Sequence, residues 1–200
     1  ADWTSLKEAG EKLEQAPFYM DTETNLNVLE LRSRLRRMKQ QFDIEIAFVD
    51  YIQLMEGIDD KGYSGREREL SRISRGIKQT AMELEIPIFT LAQLNRKVEQ
   101  RDDKRPKLSD LRGSGAIEQD ADIVTFLYRP YVYTQEEMDR GEAELLVRKH
   151  RNGPTNDIQL VFEERCMLFK NFSRKEPPGD MIEDNDPWDD VETDEDSEEV

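Results

Sequence analysis

Two apolar runs flanking one long amphipathic stretch constrain the fold of this chain more than any other feature of its 200 residues. The first, IEIAFVDYIQLM (44–55), and the second, IPIFTLAQLN (86–95), carry apolar side chains at both odd and even positions. A strand of that kind has no solvent face, so it belongs inside a parallel sheet covered by helices on both sides. Between the runs, Leu70, Ile73, Ile77, Ala81 and Leu84 recur at helical spacing behind Ser64 and Glu67, which have the spacing of a capping box. Strand, helix and strand in that order predict a parallel pair joined by a right-handed crossover.

The remaining segments extend this pattern. DIVTFLY (122–128) and ELLVRKH (144–150) are further strand candidates. Asn152-Gly153-Pro154-Thr155 marks a turn, after which Ile158, Leu160 and Phe162 alternate with less apolar neighbours, as in an antiparallel hairpin. Upstream, Trp3, Leu6, Ala9 and Leu13 share one helical face behind Asp2 as N-cap candidate, and Pro17 follows the stop. A short apolar segment, Phe18 to Met20, ends at Asp21. Asn27 and Glu30 have capping-box spacing before an apolar stripe of Val28, Leu31, Leu35 and Met38; Arg32, Arg34, Arg36, Arg37 and Lys39 read as the solvated face of that helix. The expected fold class is α/β, a mostly parallel sheet flanked by helices, ending in an antiparallel hairpin.

The formal charge of −16 would suggest a diffusely acidic protein if it were spread evenly, but residues 176–200 hold 13 acidic side chains and no Lys or Arg. The preceding 175 residues carry 32 acids against 29 bases and are close to neutral. A domain over 1–175 and an acidic, disordered tail over 176–200 are therefore expected, with Met181, Ile182 and Trp188 as anchors for a partner. Cys166 is the single cysteine, which fits a reducing, cytoplasmic compartment and offers no thiolate cluster. No run of about 18 apolar residues occurs, so no membrane association is expected.

In parallel α/β sheets ligands bind at the carboxyl ends of strands, which singles out Asp50, Gln93 and the loop from Asn95 to Gly115. An aspartate fixed at a strand end suits the water shell of Mg²⁺; it equally suits the capping of a loop. An amide at the next strand end, Gln93, can sense a γ-phosphate or orient a water, or can close the strand on backbone. Lys149 and Arg151 lie two apart on a strand and so share a face, a cation pair that can clamp phosphate or protect an edge. His150 faces the other way, as a packing or hydrogen-bonding residue. Arg112-Gly113-Ser114-Gly115 lies at a helix start, where backbone amides and a guanidinium suit a nucleic-acid or nucleotide phosphate, or simply form a turn with Ser114 as N-cap.

Taken in order, DWTSLKEAGEKLEQAPFYMD, IAFVDYIQLM, IPIFTLAQLNRKVEQRDDKRPKLSDLRGSGAIEQDADIV and VRKHRNGPT resemble the C-terminal ATPase domain of DnaB-type replicative DNA helicases, a RecA-like family working as hexameric rings. The resemblance covers residues 2–172. It implies that Asp50 is the Walker B acid holding Mg²⁺ through water, that Gln93 is the γ-phosphate sensor, and that Lys149 and Arg151 are the finger pair acting on ATP of the adjacent subunit. Arg112, Gly113 and Gly115 match the central-channel loop that contacts single-stranded DNA. At position 113 the family commonly carries Glu, so this chain lacks one loop carboxylate. Primase and a helicase loader are the further partners implied.

No G-x-x-x-x-G-K-[ST] occurs in the chain, and the family's catalytic Glu that follows that loop is absent too. The resemblance therefore implies the C-terminal half of the motor domain, with the phosphate-binding loop upstream or on another polypeptide, and an isolated chain without ATPase activity. Two alternatives to a helicase are a degenerate RecA-like module that binds DNA or a ring partner without catalysis, and a recombinase or regulatory ATPase.

Overall fold

The computed structural model describes residues 3–57, 65–111 and 114–173. Their elements run α1 (Trp3–Gln15), α2 (Val28–Phe42), β1 (Ala47–Val49), α3 (Arg66–Leu84), β2 (Ile88–Thr90), α4 (Ser114–Asp120), β3 (Ile123–Tyr128), α5 (Tyr131–Thr134), β4 (Glu142–His150), β5 (Asp157–Glu163) and β6 (Leu168–Asn171). Arg112, Gly113, Ser64 and the expected tail 176–200 lie outside the described residues.

The capping box at Asn27 forms as its spacing predicts. The Asn27 side chain accepts from the Leu29 and Glu30 N–H groups at 3.0 and 3.1 Å, and the Asn27 N–H donates to Glu30 Oε2 at 3.0 Å. The start of α3 differs from expectation, because its N-cap is Gly65, which makes no side-chain cap bond.

β1 and β2 pair in parallel with Ala47 opposite Ile88 and Val49 opposite Thr90, and α3 forms the crossover between them. The strands are shorter than the apolar runs. Ile52–Leu54 coil into a 3-10 turn, although Ile52 and Met55 are buried in the core. Apolarity there reports burial, which a turn supplies as well as a strand does. Leu70, Ile73, Ile77 and Leu84 of α3 pack with Leu31 and Leu35 of α2 and with Ala47, Ile52 and Met55.

The opposite face of the pair is bare among the described residues. Phe48 and Phe89 stack on each other with centroids 5.3 Å apart, yet remain 67% and 56% exposed, so the expected cover on both sides is present on one side only. α1 forms where predicted but buries none of its residues, leaving Trp3, Leu6 and Leu13 exposed.

The second sheet is antiparallel throughout, in the order β3-β4-β5-β6. The expected hairpin is thus a four-stranded sheet that includes β3, with Leu111, Val124, Phe126 and Leu146 as its core. Ala92 and Ile117 pack against both cores and join the two sheets. Among the described residues no helix is long and apolar enough to cross a membrane.

Candidate functional site

The carboxyl ends of β1 and β2 are neighbours by register, and each carries one polar residue singled out by sequence. Asp50 follows β1 directly and is exposed, and Gln93 lies three residues beyond β2, also exposed. Neither side chain has a hydrogen-bond partner among the described residues, so a free carboxylate and a free amide follow the carboxyl ends of two neighbouring strands. Sequence reasoning missed the residue that holds the Gln93 backbone. Gln53 Nε2 donates to the Gln93 carbonyl at 3.2 Å, and the Gln93 N–H donates to Gln53 Oε1 at 3.1 Å. A glutamine three positions past the strand-end acid was the available signal.

Gln53 is itself held from the start of α3. Arg66 Nη2 donates to the Gln53 carbonyl at 2.5 Å, while Arg66 Nη1 pairs with Glu69 Oε2 at 2.5 Å. Glu69 Oε1 also accepts the Gly57 N–H at 2.8 Å. Burial alone raises the Glu69 carboxyl, but the bonds from Arg66 and Gly57 outweigh it, and the net direction is downward.

The loop after Gln93 is a built structure rather than an open charged strand. Its neck is closed by a bridge between Leu94 and Leu111 and by the Asn95 N–H donating to the Asp110 carbonyl at 2.8 Å. Arg101 grips the buried Asp110 carboxylate with both Nη atoms, at 3.1 and 2.8 Å, and Arg105 Nη2 reaches the buried Glu144 of β4 at 2.5 Å. Lys104 donates to the Glu99 and Arg101 carbonyls. Most cations of this stretch are thus bound internally, leaving Arg96 and Lys97 exposed at its start. Gly115, in the first turn of α4, faces open space: a Cβ there would meet nothing within 4 Å.

Lys149 and Arg151 do share a side, as their spacing predicts, and both turn onto the end of α4. Lys149 Nζ donates to the Glu118 and Gln119 carbonyls, where a cation also favours the negative end of the helix. Arg151 Nη2 reaches the Gln119 carbonyl at 3.4 Å, and its Nη1 pairs with Asp122 at 3.1 Å. Asp122 also accepts from Lys78 of α3, and that bond, with the charges of Lys78, Arg151 and Lys149, holds its carboxyl below the usual range. Neither cation bonds to Asp50 or Gln93, so the described residues form two separate groups, a strand-end pair and a cationic turn. His150 packs over Gly153 and its Nδ1 lies 3.3 Å from the Pro154 carbonyl.

Comparison with known proteins places this arrangement. The family described as DnaB-like helicase C terminal domain matches residues 1–171. The chain is 42% identical to the replicative DNA helicase DnaB of Mycobacterium leprae over 173 residues, covering 86% of this chain and 28% of that protein. It is also 42% identical to the DnaB of Geobacillus stearothermophilus, covering 87% of this chain and 38% of that one. A solved structure of a DnaB-like replicative helicase, described with its interactions with primase, superposes with a TM-score of 0.79 at 36% identity, over 86% of this chain and 41% of that one. A second solved structure, of an ATPase domain alone, superposes equally well, over 86% of this chain and 60% of that one. The chain spans well under half the length of these curated relatives. Its α/β architecture, with a parallel pair, flanking helices and a C-terminal antiparallel sheet, is that of DnaB-like ATPase domains, and the chain belongs to the DnaB-like helicase C-terminal domain family.

Proposed function

We propose that this chain is the C-terminal part of an ATP-dependent replicative DNA helicase, whose complete form assembles as a hexameric ring, hydrolyses ATP and moves along single-stranded DNA in the cytoplasm. The observation that carries this reading is the pair of unpartnered polar side chains, Asp50 and Gln93, at adjacent ends of the parallel strands. The donor set fits Mg²⁺, which takes one or two carboxylates and fills its remaining positions with water and phosphate oxygens. Asp50 would hold it, and the ion supplies neutralisation of phosphate charge. Gln93 donates to the terminal phosphate and passes its presence to the loop that follows.

Lys149 and Arg151 act on the nucleotide of the adjacent subunit. The Arg151–Asp122 contact is easily exchanged for that role, since the pair is about half exposed on both sides, and exposed pairs are worth less than about 1 kcal/mol. The loop carrying Arg112, Gly113 and Gly115 contacts single-stranded DNA, and the open space over Gly115 leaves room for its backbone. Identical subunits, primase and a loader are the partners of the complete ring. The 200-residue chain carries no G-x-x-x-x-G-K-[ST] phosphate loop and alone has no ATPase activity. In the complete protein, Arg151→Ala abolishes hydrolysis while sparing ATP binding, measured as turnover and as nucleotide titration. Unchanged turnover removes the finger assignment, and strand exchange without unwinding of a forked duplex favours a recombinase.

A further inference from the structure

In a parallel ladder the backbone groups of every second residue on one strand are taken by the neighbouring strand. Leu91 follows this rule: its N–H donates to the Val49 carbonyl at 2.9 Å, and its carbonyl accepts the Ile52 N–H at 3.0 Å. The next residue due for pairing is Gln93, but by then the chain after β1 has left the sheet. It coils into the 3-10 turn, where the Leu54 N–H bonds the Tyr51 carbonyl at 3.0 Å and the Met55 N–H bonds the Ile52 carbonyl at 3.1 Å. No β1 backbone remains to hold Gln93.

We propose that Gln53 is the positioning residue for Gln93, its side-chain amide standing in for the missing rung of the β1–β2 ladder. This rests on the reading of Gln93 as phosphate sensor and adds the residue through which that sensor is aimed. The planar amide offers a donor and an acceptor side by side, and it meets both backbone groups of Gln93, at 3.2 and 3.1 Å. A carboxylate lacks the donor; lysine and arginine lack the acceptor. Gln53 is anchored in turn by Arg66, and Arg66 by Glu69, so the end of β2 is braced against the first turn of α3. Because Gln53 lies three residues past Asp50, the same brace sets the separation of the two strand ends. The Gln93 side chain has no other hold among the described residues, and its backbone alone decides where its amide points.

The test uses the complete protein. Gln53→Met keeps the length of the side chain and removes both hydrogen bonds; Gln53→Glu keeps the acceptor and loses the donor. DNA-stimulated turnover falls about 10- to 100-fold in Gln53→Met and by a smaller factor in Gln53→Glu, the scale expected for a reacting-site group displaced by about 1 Å. The KM for ATP and ring assembly stay at wild-type values, and Gln53→Met adds nothing in a Gln93→Ala background. Wild-type turnover in both Gln53 variants, with Gln93→Ala slowed but still measurable, overturns the positioning role and leaves the sensor standing. Wild-type turnover in Gln93→Ala removes the sensor reading itself. A Gln53→Met loss that multiplies that of Gln93→Ala, or that comes with a dissociated ring, also overturns the proposal, because the residue then acts on something other than Gln93.

Discussion

Asp122 is the residue on which the cationic turn and α3 meet. Its carboxylate accepts from Lys78 and pairs with Arg151, and these partners lower its pKa below the ordinary 3.8. A lowered carboxyl stabilises the fold above the unfolded-state pKa, and that contribution is lost as pH falls from about 3.8 through the folded value. Asp122 is half exposed, so the effect is small, below about 1 kcal/mol. Asp122→Asn therefore lowers the urea midpoint slightly at pH 7, and the gap from wild type closes as the pH is taken below 3.8. A gap that stays constant with pH shows that the lost contact was not ionic. Gly153 sets a second local condition, since a Cβ at that position would meet the His150 ring. A side chain at that position displaces the His150 ring, which sits at the end of a rotatable, partly exposed side chain.

At the scale of elements, the join between α2 and α3 depends on caps and close approach. Asn27 satisfies two N–H groups of α2, so Asn27→Ala costs about 1 kcal/mol, read as a shift in the chemical-denaturation midpoint of the complete protein. Gly76 of α3 lies directly under Val28, the first residue of α2, and an added methyl there collides with the valine side chain. Gly76→Ala is expected to destabilise by about 1–3 kcal/mol through overpacking, and Val28→Ala in the same protein to recover most of the loss. Failure of that second change to rescue places the strain elsewhere. The basic face of α2, read from sequence as merely solvated, is partly a lateral contact: Arg32 and Arg36 both pair with Glu83 of α3, and Lys39 donates to the Leu84 carbonyl. Nothing in the local pattern marks this, because the partners lie more than 40 residues away.

For the molecule as a whole, two cores meet at two shared side chains. Ile117 packs against both, so truncating it weakens the α2–α3 core and the antiparallel sheet together. Ile117 is partly buried, so Ile117→Ala is expected to cost about 1–2 kcal/mol, and to separate the hydrogen-exchange protection of β1 and β2 from that of β3 and β4. Uniform loss of protection across both sheets shows instead that they unfold as one unit through other contacts.

Sequence by itself determined the order of the main helices and strands and the places of Asp50 and Gln93 past the carboxyl ends of β1 and β2. Those follow from apolar periodicity, capping residues and turn chemistry, which act within one or two turns of chain. It also carried the pairing of Lys149 with Arg151 on one side, since strand geometry alone sets that. Tertiary structure decided which faces are covered, that β3 pairs antiparallel with β4, and that Arg101 and Arg105 are bound to Asp110 and Glu144 rather than left for a ligand. It alone brought Gln53 to Gln93 across 40 residues of chain. The reason is range: a residue's conformation is biased by its neighbours in sequence, whereas its hydrogen-bonding partner is set by whatever the packed core brings alongside it.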